Sequence, residues 1–260
     1  MRWLRYHGAN GVRYGVLEGT SVAEIDTTPF ADWKKTGNVV DLSAVKVLVP
    51  VVPPTFYAIG LNYALHASTY GSTTAIPARP QPGYRANSAL IAHDETIVIP
   101  AASSGVQYEG ELVVVIGKTG RYVSERDALS IVLGYSIGND VSERTWQKAD
   151  QGLWRAKNCD TFKPMGPWIE TDVDLPSLIT RVRINGTQQV EFKTNDMIFG
   201  IERYIAEITT YMTLQPGDVI WMGTEGSNSD MRDGDIVEVE IDQIGVLRNP
   251  VAVEKRDESA

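Results

Sequence analysis

At 260 residues the chain is long enough for one large domain, or one domain with a small appendage, and for a sizeable buried core. Asp and Glu outnumber Lys and Arg by 33 to 24, giving a formal charge of −9 whose field repels polyanions, so nucleic acid and anionic membrane are excluded as expected partners. No run reaches the roughly 20 apolar residues of a spanning helix. The opening Met1-Arg2-Trp3-Leu4-Arg5 has no signal-like apolar stretch, and the single Cys159 excludes an intrachain disulfide framework, so a cytoplasmic location is expected.

In chain order, residues up to about 50 carry short alternating pieces such as Val12-Arg13-Tyr14-Gly15-Val16-Leu17. They predict a small β-rich N-terminal domain over residues 1–52, with the main domain filling 53–260. Phe56 to Gly60 predicts a buried strand, and the Gly-, Thr- and Pro-rich stretch from Gly71 to Gly83 a long loop of the kind that serves as a lid or binding element. Thr96 to Pro100 predicts a strand, and Glu111 to Lys118 is a near-continuous apolar run. Ser124 with Asp127 resembles a capping box opening a short helix through Leu133 that ends at Gly134. Asn185-Gly186 between two strand-like segments predicts a two-residue hairpin. Ile198, Ile201, Ile205, Ile208 and Met212 form one apolar face of a helix over Asp196 to Met212, stopped by Pro216-Gly217-Asp218. Val219 to Gly223 and Val237 to Ile241 return to strand, the latter with one wet face.

The chemistry is carried by Glu109-Gly110-Glu111. Residues two apart at the head of a strand point to one face, shared here with Val113 and Val115. Aligned like charges beside a core need protonation, water or a cation. A third carboxylate, Asp140, closes the Gly- and Asn-rich segment Gly134 to Asn139. Three carboxylates without His or Cys suit a hard divalent ion, so Mg²⁺ or Mn²⁺ is expected, with Ca²⁺ as an alternative.

Glu109-x-Glu111-Leu112, Gly138-Asn139-Asp140-Val141-Ser142-x-Arg144, Lys157-x-x-Asp160-Thr161-Phe162-x-Pro164-x-Gly166-Pro167, Thr194-x-Asp196-Met197 and Leu214-x-Pro216-Gly217-Asp218 together resemble the fumarylacetoacetate hydrolase family, in collinear order over about residues 55 to 252. The resemblance implies an α+β, mainly β fold, a mixed β-sandwich or roll, in a chain that forms a homodimer. It also implies a metal held at Glu109, Glu111 and Asp140, and small anionic 2-oxo or β-diketo acids as substrates. Lys157 matches the family lysine that faces substrate near the metal. Arg85 stands where many members have lysine and is expected either to grip a substrate carboxylate or to pair with a nearby acid. Thr224 matches the family's Gly-Thr turn toward the substrate carboxylate, with Glu225 in place of the usual proline. Gln147 and Tyr63 fall at pocket positions, with packing as their alternative role.

His66 matches one half of a His-Glu pair that activates water in hydrolytic members, but Thr69 occupies the glutamate's place three residues on. Hydrolysis of a carbon–carbon bond in an acylpyruvate-type substrate, as the resemblance implies, is the first expectation. Decarboxylation or enol-keto isomerisation without activated water is a close alternative, favoured by Thr69 unless Asp94 or Glu95 replaces the missing acid. A catalytically silent metal- or ligand-binding relative is the third.

Overall fold

A computed structural model describes residues 1–9, 11–64 and 77–255. Its larger sheet has 12 strands, with a main path running Lys35–Asp41, Ser21–Ile25, Gly11–Glu18, Arg2–Gly8, Lys163–Glu170, Val132–Asn139, Gly110–Ile116, Val219–Trp221, Phe56–Ile59, Pro82–Tyr84. A five-stranded sheet runs Thr187–Lys193, Ile179–Ile184, Ile236–Ile241, Gly245–Val253, Ile97–Ile99. Most neighbours are antiparallel, but Val219–Trp221 lies parallel to Phe56–Ile59, and Gly245–Val253 parallel to Ile97–Ile99. With the helix Ile201–Tyr211 packed alongside, the fold is α+β and mainly β. The N-terminal strands extend the large sheet, Arg2 pairing with Glu170 and Trp3 with Ile169. Among the described residues no helix is long and apolar enough to cross a membrane.

The strand Gly110–Ile116 organises the molecule because it is buried on both faces, which is why it reads as an unbroken apolar run. Leu112, Val114 and Ile116 join Ile137, Val182, Val239 and the helix residues Ile205 and Ile208 in one core cluster. Val113 and Val115 join Phe56, Met165, Val219 and Trp221 in a second. Two glycines permit this double packing. A Cβ on Gly110 would stand 2.8 Å from Val182 and 2.9 Å from Val239, and one on Gly138 would stand 2.6 Å from the Trp221 ring.

Asn185 and Gly186, at φ of 51° and 75°, form the expected two-residue turn between Ile179–Ile184 and Thr187–Lys193. Two helices are shorter than their sequence patterns suggest. The segment after Ser124 is a 3₁₀ helix, Glu125–Ile131, and Val132 already begins a strand, so Gly134 lies inside that strand instead of ending a helix. The last helix begins at Ile201, because the Asn62 carboxamide accepts from Phe199 N at 3.0 Å and donates to Phe199 O at 3.1 Å, holding the preceding residues out of helical conformation. Of the expected loop from Gly71 to Gly83, residues 71–76 lie outside the described residues and Pro82–Tyr84 forms an edge strand.

Candidate metal centre

Strand pairing builds the site. Gly110 faces Asn139 and Glu111 faces Gly138 across neighbouring antiparallel strands, so Asp140 arrives beside Glu109. The junction is pinned twice, by Asp140 N donating to Glu109 O at 2.9 Å and by Glu109 N donating to Asn139 Oδ1 at 2.9 Å. Glu109, Glu111 and Asp140 are buried, and one oxygen from each lies within 4.8 Å of the others.

Among the described residues four cations surround them. Lys157, on the short helix Trp154–Asn158, contacts Glu109 Oε2 and, at 2.7 Å, Asp140 Oδ2. Arg85 grips Asp140 with two parallel bonds, Nε to Oδ1 at 3.0 Å and Nη2 to Oδ2 at 2.9 Å. Lys163 meets Asp140 Oδ1 at 2.7 Å, and Arg144 meets Glu109 Oε1 at 2.7 Å. Glu111 instead accepts the Gly223 N–H at 2.9 Å.

This uneven distribution splits the carboxyls. Burial, then the charges of Asp140 and Glu109, push Glu111 well above the usual carboxylate range, with Lys157 and the Gly223 N–H opposing. Burial would raise Asp140 too, but Arg85, Lys157 and Lys163 outweigh it and hold Asp140 well below that range. Burial lowers Lys163 to about 8 despite Asp140 beside it. An all-oxygen set in which burial, and then like-charged neighbours, penalise the ionised form of one member fits a hard divalent cation, whose charge offsets both.

The wall of the site is an ordered polar network. Arg144 Nη1 donates to Gln147 Oε1 at 2.9 Å, Nη2 to Ser227 Oγ at 2.9 Å and Nε to Gln107 Oε1 at 2.9 Å. With its carbonyl taken by Arg144, Gln147 has no partner for its amide N–H₂ among the described residues. Thr224 is buried just after Gly223, whose N–H touches Glu111. Of the two roles expected for Arg85, pairing with an acid is the one its geometry displays. The Tyr63 hydroxyl is committed to Thr194 O at 2.5 Å and its ring packs edge-on against Phe192, so it forms part of the core wall. His66 and Thr69 lie outside the described residues. Asp94 and Glu95 are engaged elsewhere, with Arg248 and with Lys46.

Arg144, Lys163 and Asn62 gained no role from sequence. Arg144 lay inside a quoted motif, four residues beyond Asp140. For Lys163 the signal is strand register: Ile137 faces Gly166 and Gly138 faces Met165, and the same register continued two residues sets Asp140 opposite Lys163.

Residues 55–252 match the fumarylacetoacetate (FAA) hydrolase C-terminal domain, and residues 1–50 match the Rv2993c-like N-terminal domain. The chain belongs to the fumarylacetoacetate hydrolase family. Protein Rv2993c of Mycobacterium tuberculosis is 37% identical over 96% of this chain and 98% of its own. The crystal structure of a 2-hydroxyhepta-2,4-diene-1,7-dioate isomerase from Mycobacterium marinum superposes with a TM-score of 0.90, at 36% identity over 98% of this chain and 100% of that one. A maleylpyruvate hydrolase from Sphingobium sp. SYK-6, solved with manganese(II) and pyruvate, gives a TM-score of 0.81 at 28% identity over 98% and 100% of the two chains. Other family relatives are a bifunctional isomerase/decarboxylase of 4-hydroxyphenylacetate degradation, a 2,4-didehydro-3-deoxy-L-rhamnonate hydrolase and oxaloacetate tautomerases. Family members are thus isomerases, decarboxylases, hydrolases and tautomerases.

Proposed function

We propose that this protein is a divalent-metal-dependent enzyme that tautomerises, isomerises or decarboxylates a small 2-oxo acid through an enolate. The observation that carries this is the buried carboxylate triad set among Arg85, Arg144, Lys157 and Lys163. Held by Glu109, Glu111 and Asp140, a magnesium or manganese ion would supply Lewis-acid stabilisation of an enolate oxygen.

The chain's own groups divide the remaining work. Four cations around three carboxylates give the site a field that draws an anionic substrate. An ammonium has three protons, and Lys157 gives two to Glu109 and Asp140, which leaves one for a substrate oxygen as charge develops there. Gln147, its carbonyl held by Arg144, has its amide donors for a substrate oxygen, and the Gly223 N–H beside Glu111 leads into Thr224, whose hydroxyl accepts the Gly226 N–H at 3.4 Å. Burial of the site strengthens each of these interactions relative to water.

Carbon–carbon hydrolysis is the alternative, supported by the hydrolases among the relatives. It requires a base to activate water, and Thr69 stands where the partner acid of His66 is expected. Proton transfer or loss of carbon dioxide needs no such pair and is therefore preferred. The test is product identification by NMR in D₂O, with oxaloacetate and acetylpyruvate as substrates in the presence of Mg²⁺. Deuterium entering the carbon beside the keto group, or loss of carbon dioxide, supports the proposal. Rapid release of acetate from acetylpyruvate would favour hydrolysis, and activity undiminished in Glu109→Ala and Asp140→Ala would refute metal-assisted chemistry altogether.

A further inference from the structure

Lys163 has a position that no substrate-directed role explains. It is fully buried, and the three protons of its ammonium are met by three acceptors: Asp140 Oδ1 at 2.7 Å, Phe162 O at 2.8 Å and Val141 O at 2.9 Å. Nothing is left over to reach a ligand, so any effect of Lys163 on the site passes through Asp140.

A buried ammonium is costly unless its geometry is good and its protons are all satisfied, and here they are. The tripod ties the turn after Val132–Asn139 to the start of the neighbouring strand Lys163–Glu170. It also fixes Asp140 in rotation. Oδ1 receives Arg85 Nε and Lys163 Nζ, while Oδ2 receives Arg85 Nη2 and Lys157 Nζ. Arg85 alone could rock with the carboxylate as a rigid pair, because a bidentate fork moves as one plane. The Lys163 tripod, anchored on two backbone carbonyls, prevents that rocking.

We infer that Lys163 is a positioning residue that makes the carboxylate triad selective for small divalent ions over Ca²⁺. The inference rests on the metal-site proposal above. Mg²⁺ demands near-ideal octahedral geometry at short distances, whereas Ca²⁺ accepts longer distances and irregular arrangements, so rigidity of a ligand bears on the choice between them. Groups that orient a metal-binding side chain commonly change metal affinity by about 10- to 100-fold when removed.

Removing a cation from beside the site also changes its charge, which alone would tighten the binding of any divalent ion. That effect is the same for Mg²⁺ and Ca²⁺ and cancels in the ratio of their dissociation constants. Calorimetric titration of chelator-stripped wild type and Lys163→Met with each ion therefore separates charge from positioning. The expected result is a Ca²⁺/Mg²⁺ Kd ratio that falls about tenfold in Lys163→Met, whichever way the individual affinities move. An unchanged ratio, with both affinities shifted together, overturns the inference and leaves Lys163 as a source of charge only. Should Lys163→Met not fold, Lys163→Gln is measured instead. It retains two N–H donors but cannot rebuild the tripod, so a fall of at least about threefold in the ratio is expected, and an unchanged ratio again overturns the inference. Wild type that binds neither ion would instead refute the metal-site proposal, an outcome distinct from either of these.

Discussion

Two members of the same carboxylate triad are expected to respond in opposite directions to loss of their charge. Asp140 compensates three buried cations, Arg85, Lys157 and Lys163. Asp140→Asn leaves them facing a neutral amide, and breaking a buried pair in this way costs about 3–5 kcal/mol. For a chain of this size each kcal/mol moves Tm by about 2–4 °C, so a fall of about 6–20 °C is expected. Among the described residues Glu111 makes no ion pair of its own and its one polar bond is to the Gly223 N–H at 2.9 Å, while burial and the charges of Asp140 and Glu109 disfavour its ionised form. Glu111→Gln keeps that bond through its carbonyl oxygen and removes that penalty, so Tm should hold or rise. Both variants should lose Mg²⁺ affinity. The assay is thermal unfolding by circular dichroism in excess chelator, followed by titration of the ion. A Tm for Asp140→Asn within about 2 °C of wild type, or an equal fall in Glu111→Gln, would refute the charge distribution described for the site.

Three further perturbations probe separate links. Lys157→Met should lower kcat by about a hundredfold or more while Mg²⁺ binding persists, measured by steady-state kinetics beside calorimetry. Gly138→Ala would drive a methyl to 2.6 Å from the Trp221 ring; overpacking of that kind costs about 1–3 kcal/mol, so Tm should fall by about 2–12 °C. His93, whose Nδ1 accepts the Arg248 N–H at 3.1 Å, is lowered from its ordinary 6.5 mainly by burial, with Asp94 opposing. Because the unfolded chain takes up that proton first, stability is complete above about pH 6.5 and declines as pH falls below it. His93→Asn should therefore flatten the dependence of Tm on pH between about 7 and 5.5, and an unchanged slope would count against that linkage.

Much of the structure was legible in the sequence where local pattern and burial agree. The unbroken apolar run after Glu111 marks a strand buried on both faces, Asn185-Gly186 marks the hairpin between Ile179–Ile184 and Thr187–Lys193, and the three carboxylates stand out as charge placed beside a core. The unread parts depend on partners distant in sequence. The last helix loses its first residues because Asn62, 137 positions away, takes the backbone of Phe199. Arg85 carries no local sign that it will bind Asp140, 55 residues on, instead of a substrate. Lys163 carries no local sign of its role, which follows only once the register of two strands sets it opposite Asp140. Periodicity reports which face of an element is buried, but not which element arrives to cover it.

Calorimetric titration of Mn²⁺ into chelator-stripped protein, for wild type and for Glu109→Gln, Glu111→Gln and Asp140→Asn, tests the central claim most directly. One ion bound per chain in wild type, with binding sharply weakened by each of the three substitutions, is the predicted result. No binding by folded wild type, or binding that survives all three changes, would contradict it.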